Sequence, residues 1–221
     1  MFETSKLTEW LLSHGISQMV LELLIAMCIV ATIVSIARYL VGSKTYGIFA
    51  PILLAIAYSY TGLKYGLAIT LVVILTSLLS YSVLKKIRMH YITRIATNYT
   101  ILSITLILFF VLIDQFGLGL ENMSNIPPLA FISIATLSDF FIKQFVKKSL
   151  PSSLMSLFGT VVVAIVGWFV ISREIISDYA LNNLWIVPLL TAINILLGLF
   201  KGLRFKDYLR FRFTSREDGN K

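Results

Sequence analysis

The chain has 221 residues, 57% of them hydrophobic and 14% charged, with a mean hydropathy of +0.87 and a net charge of +8. A soluble domain carries roughly 45–50% apolar residues and about 25% charged ones, so the composition excludes an ordinary soluble core. Charges bunched between long apolar runs point instead to a polytopic α-helical membrane protein, in which basic residues mark cytoplasmic loops and anionic lipid, and nucleic acid is not the expected partner.

Residues 1–17, MFETSKLTEWLLSHGIS, lack the basic start of a signal peptide, and the apolar run behind them is too long for a signal core. An uncleaved outer segment is expected there. A hydrocarbon core of roughly 30 Å takes about 20 helical residues per crossing. Seven runs are read as crossings: 18–40, 46–62, 65–84, 93–114, 127–147, 152–172 and 182–200, giving an all-α bundle over 18–200 and a basic tail over 201–221. The runs are too long and too uniformly apolar for barrel strands. The weakest boundary is the second, where only Thr61-Gly-Leu-Lys64 intervenes.

With the amino terminus outside, sixteen of the nineteen lysines and arginines fall in inner loops or the tail; Lys6, Lys64 and Arg173 are the three outside. The positive-inside rule therefore predicts amino terminus out and carboxyl terminus in. Trp10, Trp168 and Trp185 all fall near the predicted outer interface, where an indole buries its ring and keeps its N–H wet. The single cysteine, Cys28, lies inside the first run, which leaves no intrachain disulfide to form.

Ionisable residues inside hydrocarbon are costly and usually face a bundle interior. In the fifth run Asp139 and Lys143 stand at i, i+4, acid first, on one helix face. They read either as a self-neutralising packing pair or as a relay or substrate contact. Asn194 in the seventh run is expected to hydrogen-bond between helices, and Glu22 to lie near the outer boundary. Pro51 lies in the second run, where neighbouring helices can satisfy the backbone groups that a proline frees. His14 and His90 fall on opposite sides of the membrane, so no shared metal is expected. Sequence signatures of a metal centre, a phosphate-binding glycine loop or a nucleophile elbow are missing, and neither catalytic residues nor a cofactor is expected. Asn98-Tyr-Thr100 has the glycosylation pattern but lies within the fourth run.

After the seventh run comes Lys201-Gly-Leu-Arg-Phe-Lys-Asp-Tyr-Leu-Arg-Phe-Arg-Phe213. As a helix to about Arg210 it sets Phe205, Tyr208 and Leu209 opposite Arg204, Lys206, Asp207 and Arg210, an interfacial pattern. From Leu209 to Phe213 apolar and basic residues alternate, as in an extended docking end.

Two segments resemble a bacterial family, the seven-helix membrane domain usually fused behind an inactive transglutaminase-like domain. Tyr46-Gly-Ile-Phe-Ala-Pro-Ile-Leu-Leu-Ala-Ile-Ala-Tyr58 is similar to the family's Gly-x-Phe-x-Pro-x-Leu-x-Ala-x-Ala signature. Gly202-Leu-Arg-Phe-Lys-Asp-Tyr-Leu-Arg-Phe-Arg212 is similar to its closing Gly-Leu-Arg-x-x-x-Tyr-Leu-Arg-Phe-Arg. The resemblance implies a bacterial inner-membrane platform rather than an enzyme, because relatives are typically encoded near ATP-grasp peptide ligases. Residues 1–17 are too short to hold the fused domain. On this resemblance Arg204, Tyr208, Arg210 and Arg212 would meet a cytoplasmic peptide-ligase partner or anionic lipid, and Pro51 would correspond to the family's helix-two proline, where a kink opens space between helices. The alternative is a small transporter or exporter with Asp139, Lys143 and Pro51 beside its path.

Overall fold

A computed structural model describes residues 6–116, 127–147 and 150–199 of the chain. All regular structure among them is helical: α1 Lys6–Ser13, α2 Gln18–Ile36 continued by a π-helical turn Ala37–Val41, α3 Phe49–Thr61, α4 Leu63–Leu84, α5 Tyr91–Gln115, α6 Pro128–Lys147, α7 Leu150–Ile171, α8 Glu174–Asn182 and α9 Ile186–Leu199. The seven apolar runs coincide with α2 to α7 and α9. The short helices α1 and α8 were not expected, because eight or nine residues of mixed polarity carry little periodic signal.

Four helices among the described residues are long and apolar enough to cross a membrane unaided: Gln18–Val41, Leu63–Leu84, Ile92–Gln115 and Pro151–Ile171. The other three runs differ in an instructive way. With 13 residues, α3 rises about 20 Å, short of the roughly 30 Å hydrocarbon core. The ionisable pair keeps the 20-residue α6 below the apolarity of the four. The chain bends by 102° between α8 and α9. The break between α3 and α4 falls where the sequence marks it, at Gly62, whose φ of 72° is a left-handed conformation that glycine adopts without strain.

The chain forms two compact units, one of residues 1–52 with 158–221 and one of residues 53–157. In the first, Ser17 caps α2, its hydroxyl accepting the Val20 N–H. Leu21 and Ile25 of α2 pack on Ala180 and Leu181 of α8, with Ile29, Leu184 and Ile186 around them. Further along, Asn194 of α9 donates from Nδ2 to Thr32 Oγ1 of α2 at 2.9 Å. Contacts that rise together along both segments mean that α2 and α9 run parallel.

The same unit holds the link from the π-helical turn to α3. The backbone N–H of buried Tyr46 donates to Thr160 Oγ1 of α7 at 2.9 Å, and the Lys44 carbonyl lies against Gly159, where a Cβ would meet it. Non-helical backbone at membrane depth is tolerated where protein satisfies and covers it. Tyr46 therefore stands outside the helix that the 46–62 run implied. Pro51 is the third residue of α3, in a first turn that has no intrahelical N–H bonds to lose, so the helix accommodates it there.

In the second unit α4 packs against both α5 and α6. Tyr81 of α4 meets Phe145 of α6 edge-on at 5.3 Å, and Phe110 of α5 meets Phe131 of α6 at the same distance at the other end. Thus α5 runs antiparallel to α4 and α6, as successive crossings must. Tyr58 of α3 is fully buried, its hydroxyl 2.9 Å from Thr70 Oγ1 of α4.

Candidate functional site

One set of polar residues of the second unit bridges α5 and α6, while Thr70, Thr76, Ser77 and Ser80 are buried along α4. Polar groups in a membrane interior seek partners, and here Asn98 and Tyr99 bond across the helix pair, while the buried Asn98 Oδ1 accepts no hydrogen bond among the described residues. Asn98, 2% exposed, donates from Nδ2 to Ser138 Oγ at 3.4 Å, and Ser138 is wholly buried. The next residue on each helix extends the cluster. Tyr99 bonds the Thr136 side chain, and the charges of Asp139 and Lys143 act on its phenol. Thr136 is itself anchored, its hydroxyl donating to the Ile132 carbonyl at 2.8 Å.

Asp139 and Lys143 make an ion pair within α6, Oδ2 to Nζ 3.2 Å, with side-chain exposures of 20% and 49%. The acid is thus the buried member. Lysine's longer stem carries its charge outward, toward the end of α6 where headgroups can be reached. The charge of the carboxylate is balanced by a lysine of its own helix, and the Tyr99 phenol lies within reach of both.

The other sequence candidates lie apart. Asn194 makes the interhelical bond foreseen for it, to Thr32 in the first unit, and also donates to the Leu190 carbonyl at 3.0 Å. Glu22 accepts from Gln18 Nε2 at 2.9 Å at the start of α2. His14 Nδ1 lies 2.8 Å from the Trp10 carbonyl, and its ring packs on the Trp10 indole at 4.1 Å. Arg204, Tyr208, Arg210 and Arg212 lie outside the described residues.

Sequence reasoning missed Asn98 and Tyr99, which were noted only as part of a glycosylation pattern. Two adjacent polar residues in the middle of an apolar run were the available signal. Their partners Thr136 and Ser138 sit one residue either side of Leu137, so the seam becomes visible only when α5 and α6 are placed together.

Residues 7–215 match the family described as seven transmembrane helices usually fused to an inactive transglutaminase. The chain belongs to this family. It is therefore a multi-pass membrane protein, and the match reaches from α1 through the basic and aromatic segment after α9. No curated protein and no solved structure matches the chain. Within the family's seven helices, the α5–α6 seam supplies the polar glue that lipid-like side chains cannot, since hydrocarbon gives helices no hydrophobic reason to associate.

Proposed function

We propose that the protein is a non-catalytic, seven-helix platform of a bacterial inner membrane, with its amino terminus outside and its basic tail in the cytoplasm, where Arg204, Tyr208, Arg210 and Arg212 hold a peptide-ligase partner or the anionic lipid beneath it. The observation that carries this reading is the reach of the family match to residue 215, so that Arg204, Tyr208, Arg210 and Arg212 all fall within the matched region. A fixed order of Arg, Tyr and Arg is what a protein groove requires and a lipid surface does not. The peptide-ligase class comes from the gene neighbourhoods typical of the family.

Two further features support the topology. Sixteen of nineteen basic residues gather on one side when seven crossings alternate. The parallel course of α2 and α9 is what an odd number of crossings demands of the first and last. Reporter fusions at Met1 and Lys221 are expected to read opposite compartments, and two fusions that report the same face would sink the topology.

Replacing Arg204, Tyr208, Arg210 and Arg212 together by alanine is expected to leave the protein inserted while lowering recovery of the cytoplasmic ligase by about tenfold or more, the scale of losing a cluster of anchor residues. The measurement is co-purification from membranes, with total insertion followed in parallel. Unchanged recovery would show that the tail is not the dock.

A further inference from the structure

A cavity of about 130 Å³ opens in the first unit between α1, the start of α2 and α8. Its polar lining is Thr8, Gln18, Asp178 and Asn182, over a floor that includes Leu12, Leu21 and Leu181. The elements that make it are tied together: the Thr8 hydroxyl donates to the Leu181 carbonyl at 2.8 Å, closing a bond between residues 173 apart in sequence. Leu181 in turn packs in the core formed by Leu21 and Ile25. The cavity is therefore a built feature of the fold.

Its chemistry is lopsided toward acceptors. Thr8 has spent its hydrogen on Leu181, which leaves the oxygen lone pairs. Gln18 is oriented by donating to Glu22 Oε1 at 2.9 Å, which leaves its own carbonyl oxygen to accept and sets a second carboxylate behind it. Asp178, exposed at the mouth, contributes a carboxylate, and the lining includes no lysine, arginine or histidine. The Asn182 amide can donate as well as accept, so the lining is best complemented by a group that brings positive charge to Asp178 and N–H donors to Thr8 and Gln18. The volume holds about four waters at about 30 Å³ each, the size of an aminoethyl group.

The surroundings indicate what carries that group. Gln18 is the first residue of the α2 span, so the cavity sits where hydrocarbon gives way to headgroups. Beside it α1 leaves Leu7 and Trp10 exposed, and α8 leaves Ile175 and Tyr179 exposed. Short amphipathic helices with such residues lie in the membrane interface. We infer that this cavity is a primary-ammonium site at the membrane boundary, occupied by the aminoethyl headgroup of a phospholipid whose chains lie along α2. The inference is independent of what the tail binds.

The full chain, reconstituted with equal parts of phosphatidylethanolamine and phosphatidylcholine and released in mild detergent, is expected to retain the ethanolamine lipid over the choline lipid by about fivefold, the upper range of a solvent-exposed ion pair. Choline carries the same charge but has no N–H to donate. Asp178→Asn, a surface change, and Gln18→Leu should each bring retention toward parity in native mass spectrometry. Equal retention by the wild-type protein together with no stabilisation by free ethanolamine, or a preference that survives both substitutions, would overturn the site. Free ethanolamine that raises the melting temperature only when Asp178 is present, with no lipid preference, would keep the ammonium site and assign it to a soluble amine.

Discussion

Gly159→Ala is expected to lower the apparent melting temperature of the detergent-solubilised protein by roughly 5 °C and to cut its folded yield, at the scale of about 1–3 kcal/mol for an overpacked core position. The added methyl group would collide with the Lys44 carbonyl, and the Lys44 carbonyl carbon would be only 3.2 Å away. A side chain can swing aside from such a contact, but this is backbone. It is also held in place, because the Tyr46 N–H two residues on is bonded to Thr160 Oγ1, the neighbour of the substituted glycine. Moving the strand of backbone to admit the methyl would break the bond that satisfies it. Gly198→Ala in α9 is the control: its Cβ meets nothing within 4 Å among the described residues, and alanine favours the helix by up to about 1 kcal/mol. Thermal unfolding followed by size-exclusion fluorescence distinguishes the two, and equal behaviour of both variants would refute the close approach of the link to α7.

The second large effect concerns the ion pair of α6. Lys143→Leu is expected to destabilise by about 2 kcal/mol, since it strands the Asp139 carboxylate in a low-dielectric setting. Asp139→Leu should cost less, because the 49%-exposed lysine can carry its charge toward the headgroups once released. The double leucine variant is then expected to return close to wild-type stability, as buried ion pairs replaced by apolar residues often do. This asymmetry with recovery is the mark of a packing pair. A double variant that remains folded yet abolishes a transport flux would instead assign the pair a role in conduction, and a double variant as unstable as the two single losses combined would mean that the charges are held by other groups.

Much of this architecture was legible because hydrocarbon imposes a length and a polarity on any crossing, and both are local properties of sequence. The seven runs coincide with α2 to α7 and α9 for that reason, and the break at Gly62 was visible in a four-residue gap. What escaped was set by neighbours. The 46–62 run looked uniform, yet Tyr46 is drawn out of the helix by a hydroxyl on Thr160, 114 residues away. The same shortening of the helix leaves Pro51 in its first turn rather than further inside it. In the candidate site, the i, i+4 spacing of Asp139 and Lys143 foretold their pairing, whereas Asn98 and Ser138 meet only through the register of α5 against α6. An asparagine in an apolar run signals an interhelical hydrogen bond, but nothing local names Thr32 as its acceptor.

The Asn194–Thr32 bond joins residues 162 apart in the chain, and that separation sets a timetable for biogenesis. At about 5–20 residues per second of synthesis, α2 enters the bilayer on the order of ten to thirty seconds before the helix it is built to embrace. Residues 53–157 are contiguous and can assemble as they leave the ribosome. The unit that holds α2 is closed by its last-made helices, so a nascent chain stalled before α8 would hold a finished unit of residues 53–157 while its first helix still lacks α8 and α9, open to quality-control proteases.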